Sequence, residues 1–143
     1  MYAAEMNIGE ASERSGVPAK MIRYYEETGL LRAPSRSASG YRKYSDNDVH
    51  TLRFVRRARE LGFPTARIRQ LLRLWSDRAR SSHEVKNIAL AQVAALEADI
   101  AKLTQMRDLL RDLARKCHGD DRPDCPILDD LEAGPVATAE TRN

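Results

Sequence analysis

A mainly α fold follows from three features of the sequence. Two short helical patterns are split by a glycine turn and followed by a hairpin pattern. A long run without Gly or Pro comes next, and a loop holding two cysteines closes the series. Together they predict a winged helix-turn-helix, a long helix of coiled-coil type, and a short loop and helix behind it.

The elements follow in chain order. In "MNIGEASERSGV", Ile8, Ala11 and Ser12 share a helical face, and Gly16 stops the turn. Pro18 suits the first position of a second helix, "PAKMIRYYEETG". There Met21, Ile22 and Tyr25 pack inward, Lys20, Arg23 and Tyr24 face outward, and Gly29 ends the helix. In "LLRAPSRSASGYRKYS", the pieces "LLR" and "YRKY" flank a Pro/Ser/Gly segment, which predicts a β-hairpin with a long loop. Directly after a helix-turn-helix, that hairpin is a wing. Ser45 or Asp46 caps a third helix, in which Val49, Leu52, Phe54, Val55, Ala58 and Leu61 recur at helical spacing before Gly62 closes it. Pro64 to about Trp75 is a fourth, with Ile68, Leu71 and Leu72 inside.

From Thr65 to His118 there is no Gly and no Pro. "SSHEVK" reads as a helix start, with Ser81 or Ser82 at the cap and Glu84 in the first turn. The helix then runs to about Lys116, roughly 50 Å. Val85, Ala89, Val93, Leu96, Ile100, Leu103, Met106, Leu110 and Leu113 form an apolar row close to a coiled-coil seam. Such a row needs a partner. The same helix of a second copy is the simplest one; packing within one chain is the alternative.

Composition narrows the class. A chain of 143 residues that is 42% hydrophobic and 31% charged fits a soluble globular protein. It carries no apolar run long enough for a membrane span and no signal-peptide pattern at its start. A cytoplasmic setting is therefore expected, where thiols stay reduced and a structural disulfide is disfavoured. Residues 1–80 hold 16 Lys and Arg against 9 Asp and Glu, whereas residues 81–143 hold 8 against 12. A basic front half suits a polyanion; a solvated surface is the blander reading.

Cys117 and Cys125 are the only two cysteines, and both lie in "RKCHGDDRPDCPI". Thiolate is a soft ligand that suits Cu(I), Ag(I), Au(I), Zn(II) or an iron–sulfur cluster. Two thiolates fall short of a four-cysteine cluster. A closed zinc site needs further ligands, which His118, Asp120, Asp121 and Asp124 could supply, so zinc stays open. Pro126 suits the first position of a short helix, "PILDDLEA", which makes Cys125 its N-cap. There the helix start would favour a thiolate. Cys117, just past a helix C-terminus, would need the metal itself to lose its proton. Ile127, Leu128 and Leu131 are expected to pack on the dimer, and His50 and His83 to lie at the surface. A disulfide redox switch and a pair of inert small hydrophobes are the remaining readings.

"MNIGEASERSGVPAKMIRYYEETGLL", "GYRKYSDNDVHTLRFVRRARELGF" and the long helix ending in a cysteine loop resemble the MerR family of transcriptional regulators, over about residues 6–132. The tail "CHGDDRPDCPI" resembles its copper-responsive branch, the CueR/HmrR type. The family usually starts at the equivalent of Met6, so residues 1–5 read as an extension or an upstream start. The resemblance implies residues 6–76 as the DNA-binding domain, 81–116 as an antiparallel coiled-coil dimerisation helix, 117–133 as a metal-binding loop and short helix, and 134–143 as a disordered tail.

It also implies a role for residues outside the loop. Divalent-metal sensors of the family carry a third cysteine at the start of the dimer helix, and monovalent sensors carry serine. The matching residue is Ser82, and this chain has no third cysteine. A buried, near-linear site for a +1 ion on Cys117 and Cys125 is thus implied, with Ser82 and His83 beside it. Cu(I) is the expected ion, with Ag(I) or Au(I) as surrogates and a divalent ion such as Zn(II) as the alternative. Lys20, Arg23 and Tyr24 become candidates for the major groove. Arg36, Tyr41 and Arg42 of the wing, and Arg56 and Arg57 of the third helix, become candidates for backbone contact. Tyr25 and Tyr44 are expected mainly in the core, with their hydroxyls outside. The implied partners are a pseudo-palindromic promoter operator in double-stranded DNA, RNA polymerase, and a second copy of the chain. The implied activity is that of an activator, not an enzyme.

Overall fold

The computed structural model describes residues 5–135. Its elements run β1 (Glu5–Met6), α1 (Ile8–Ser15), α2 (Ala19–Thr28), β2 (Ser35–Arg36), β3 (Arg42–Ser45), α3 (Asp46–Glu60), α4 (Thr65–Ser76), α5 (Ser82–Lys116) and α6 (Pro126–Ala133). The chain divides into two units, residues 1–93 and 94–143, and the division falls inside α5. Of the tail expected to be disordered, residues 136–143 lie outside the described residues, as do residues 1–4.

In the first unit, local chemistry explains each helix start. Asn7 accepts from the Glu10 N–H at 2.8 Å and Glu10 accepts from the Asn7 N–H at 3.0 Å, a reciprocal box that satisfies two orphan donors of α1. Ser45 and Asp48 repeat the device at α3. Asp48 is only 1% exposed. Its charge is met by Arg32, whose Nε lies 3.1 Å from Oδ1 and whose terminal nitrogen lies 3.1 Å from Oδ2. This forked pair fastens the segment after α2 to the start of α3.

The core is built from Ala11, Val17, Ile22, Tyr25, Leu30, Leu31, Tyr44, Val49, Leu52, Val55 and Ile68, all buried. Ser15 joins the buried face of α1; its hydroxyl accepts from the Val17 N–H at 3.1 Å. Phe54 of α3 stacks on Trp75 of α4 with ring centroids 4.5 Å apart. Leu61, which continues the apolar spacing of α3, is exposed, because α3 ends at Glu60 and Gly62 takes a left-handed turn at φ 86°. The Phe63 N–H then reaches back to the Ala58 carbonyl at 3.1 Å, which closes the helix end.

The wing differs from the expected hairpin. "LLR" is not a strand: Gly29 turns left-handed, the Leu31 N–H bonds the Tyr25 carbonyl at 3.1 Å, and Leu30 and Leu31 both enter the core. Two neighbours buried together break the period of two that a strand requires. The strand is Ser35–Arg36 instead, antiparallel to β3 with Ser35 opposite Lys43 and Arg36 opposite Arg42. On its other side β3 pairs with β1, Glu5 opposite Ser45 and Met6 opposite Tyr44. The three-stranded order is β1-β3-β2.

After α4, Arg80 donates to the carbonyls of Leu74, Trp75 and Asp77 at 3.2–3.4 Å, a cationic cap on a helix C-terminus. Ser81 is the cap of α5, accepting from the His83 N–H at 3.1 Å. Ile88 is the one buried residue of α5, and Gln92 donates to the Leu61 carbonyl at 3.0 Å. These two features tie the first turns of α5 to the rest of the first unit without using the apolar row. In the second unit α5 leaves Leu96, Ile100, Leu103, Met106 and Leu110 exposed. Among the described residues no helix is long and apolar enough to cross a membrane.

Candidate functional site

Lys20, Arg23 and Tyr24 all lie on the exposed face of α2, opposite buried Ile22 and Tyr25. Arg23 turns toward the wing. With Arg36, Tyr41 and Arg42 it lines a groove of about 670 Å³ between α2, the start of α1 and the wing. Lys20 and Tyr24 are not among the lining residues of that groove. The wing tip is stiffened from within. The Ser37 N–H bonds the Tyr41 carbonyl at 2.8 Å, the Ser37 hydroxyl accepts from the Tyr41 N–H at 3.1 Å, and Arg36 donates to the Gly40 carbonyl at 3.1 Å. Tyr41 stands out at 73% exposure.

Arg42 is placed differently from the other candidates. Its Nε donates to the Glu26 carboxylate at 3.0 Å, and its side chain is 32% exposed. The Tyr44 hydroxyl donates to the second oxygen of the same carboxylate. Burial, and then the bond to Glu26, push the Tyr44 phenol far above its ordinary pKa, so it remains a donor. Tyr44 is wholly buried, so its hydroxyl is not at the surface as expected; it is spent on Glu26.

Arg56 and Arg57 share one carboxylate, Glu60, each at 3.2 Å. With Arg14, Gly16 and Arg53 they line a second groove, of about 470 Å³. Arg53, not singled out from the sequence, donates through two nitrogens to the Arg14 carbonyl at 3.1 and 2.8 Å, at the end of α1. Its spacing of three and four from Arg56 and Arg57 was the available signal. Planar guanidinium groups on one face suit phosphate oxygens.

Gly16 permits this arrangement. It has φ +75°, and a Cβ there would stand 2.0 Å from an Arg56 nitrogen. Gly16→Ala is expected to cost about 1–2 kcal/mol through the left-handed backbone and to displace Arg56. Urea unfolding and binding to random duplex DNA check both parts; unchanged values in both would contradict the placement.

In the second unit, Cys117 and Cys125 are free and partly exposed. The Cys117 N–H bonds the carbonyls of Leu113 and Ala114 at 3.1 and 3.2 Å, which places its side chain at the end of α5. Cys125 is the N-cap of α6 with Pro126 after it; its thiol makes no cap hydrogen bond, and its carbonyl accepts from the Asp129 N–H at 3.0 Å. Both thiols are thus uncommitted soft donors, one at a helix end and one at a helix start, and they fit a thiophilic ion. Asp120 is committed elsewhere: Arg122 bonds it from Nε at 2.9 Å and holds its carboxyl below the usual range. Among the described residues no three His, Cys, Asp or Glu side chains gather as a ligand set. Leu128 and Leu131 of α6 are exposed. In the first unit, Ser82 is exposed at the start of α5, and the His83 ring lies 3.3 Å from the Asn87 amide.

Comparison with known proteins adds family evidence. Residues 6–75 match the model of MerR HTH family regulatory proteins, and residues 49–113 match the model described as MerR, DNA binding. Heavy metal-dependent transcription regulator 2 of Rhizobium meliloti is 58% identical over 129 residues, 90% of this chain and 88% of the relative. The regulator CueR of Salmonella typhimurium is 43% identical over 126 residues, 88% of this chain and 91% of the relative. The transcription regulator PbrR691 from Ralstonia metallidurans CH34, solved in complex with lead(II), superposes with TM-score 0.74 at 32% identity, covering 88% of this chain and 98% of that one.

Proposed function

The chain belongs to the MerR family of helix-turn-helix regulatory proteins, and from that premise we propose that it is a homodimeric, Cu(I)-responsive activator of copper efflux and detoxification promoters. As a member of that family it is a DNA-binding regulator and not an enzyme. The metal reading is carried by one observation. The chain's two thiols bracket a single loop, one past the end of α5 and one at the N-cap of α6, with no third cysteine anywhere. When bound, Cu(I) would supply a soft +1 centre able to hold two thiolates at once. The helix start at Cys125 offsets part of the remaining negative charge. Closing the loop would draw the start of α6 toward the end of α5.

A +1 ion is favoured over a +2 ion by Ser82, which stands where divalent sensors of the family place a cysteine. The name of the 58% relative speaks of heavy metals and the match to CueR agrees with the branch that the tail resembles. The lead(II) complex of PbrR691 keeps a divalent reading as the rival. Anaerobic titration with Cu(I), Ag(I) and Zn(II), paired with transcription in vitro across the same ions, separates the two. One Cu(I) or Ag(I) per subunit with promoter activation is expected; tight Zn(II) binding without a Cu(I) response would overturn the assignment.

On the DNA side, two copies would present two α2 helices and two wings to a twofold-symmetric operator. Lys20, Arg23 and Tyr24 would read bases, while Arg36, Tyr41, Arg56 and Arg57 would hold the backbone. Activation would come from reshaping the promoter so that RNA polymerase can engage it, which is readout through deformation. The reduced cytoplasm is the compartment that keeps both thiols available.

A further inference from the structure

We propose that Glu26 is a positioning residue that holds the wing at a set angle to helix α2, and that Arg42 serves this tie instead of a DNA phosphate. The inference rests on the DNA-binding reading above and adds residue roles to it. Among the described residues, the hydrogen bonds between α2 and the wing all end on the Glu26 carboxylate: Arg42 Nε at 3.0 Å on one oxygen, the Tyr44 hydroxyl on the other. The carboxylate is nearly covered, with its side chain 9% exposed. A shielded charge pair with a second donor is more rigid and less screened than a surface pair.

Geometry makes the position consequential. Glu26 lies one helical turn beyond Arg23, so both sit on the wing side of α2. Arg42 and Tyr44 are two apart on β3 and share one face of the strand. The wing tip is closed on itself by Ser37, Gly40 and Tyr41, so it can move only as one piece. With β3 still paired to β1, releasing Glu26 loosens the α2 side of the wing, and Arg36 and Tyr41 shift together away from the register that Arg23 defines. Only the carboxylate has acceptors for both donors and the charge that Arg42 requires.

The test uses the full chain and two probes: the operator that the natural protein selects from a random duplex pool, and unselected duplex of equal length. Glu26→Gln and Arg42→Ala are each expected to weaken operator binding about tenfold and to lower the slope of log K against log salt by about one, as wing phosphates are lost. The double variant should match either single one, because both cut the same tie. Val55→Ala, a core variant with its own stability loss, should leave the slope unchanged. Tighter binding or a steeper slope in Glu26→Gln would mean that Arg42 is a restrained phosphate ligand, and the proposal would fall. It would fall equally if Glu26→Gln and Val55→Ala behaved alike, or if the two single effects added. Failure of the natural protein to select any operator would instead remove the DNA reading on which the inference stands.

Discussion

Cys125→Ser is expected to abolish metal-dependent transcription while changing operator affinity by less than about threefold, because phosphate contacts dominate such affinity and the proposed ones all lie in the first unit. The substitution is unusually clean. Serine is favoured over most residues at an N-cap, so α6 should form at least as well once Cys125 is replaced. What is lost is the soft donor: a hydroxyl is a hard ligand that keeps its proton. Loss of outer-sphere partners alone costs about 10–100-fold in metal affinity, so removal of a direct ligand should cost more. Cys117→Ser should give the same loss from the other helix end. Competition of Cu(I) against a chelator, alongside transcription in vitro, reads both quantities. A serine variant that still activated with copper would remove its cysteine from the site.

Ile100→Glu carries the second large effect. Ile100 lies on the exposed apolar row of α5 with Leu96, Leu103, Met106 and Leu110. In the proposed homodimer this row would be the seam, and each substitution there would count twice. Losing about 2 kcal/mol of burial in each copy weakens the dimer roughly thousandfold, and burying two carboxylates weakens it further. Glu is a good helix former, so α5 itself should persist. Sedimentation at micromolar concentration should find a dimer for the natural chain and a monomer for the variant, with helicity by circular dichroism preserved. A variant that remained dimeric would place the interface elsewhere. Operator binding should collapse in parallel, since a monomer offers one α2 and one wing.

The two halves of the molecule were legible to different degrees, for physical reasons. Helix types and faces followed from periodicity: Ile22 and Tyr25 inward, Lys20, Arg23 and Tyr24 outward, as found. Strands were harder. β1 is two residues long and exists only through its pairing with β3, which no local pattern announces. "LLR" has the composition of a strand, but a left-handed glycine just before it sends both leucines inward. Ile88 escaped notice because it breaks the apolar row; it answers to the first unit, not to the seam. Arg42 looked like its neighbours Arg36 and Tyr41, since a sequence shows a charge but not its partner sixteen residues away. Around the cysteines the helix start was legible: Pro126 opens α6 and Cys125 is its N-cap, as the position of the proline announces.

The stacked pair of Phe54 and Trp75 offers a practical handle. Trp75 is the single tryptophan in the chain, and it rests on Phe54 at 4.5 Å in a partly open position. Its emission therefore comes from one place, the seam between α3 and α4, just before the segment that leads into α5. Intrinsic fluorescence becomes a label-free reporter of that joint: a shift on adding metal would register strain arriving there, whereas a silent signal would confine the change to the other unit.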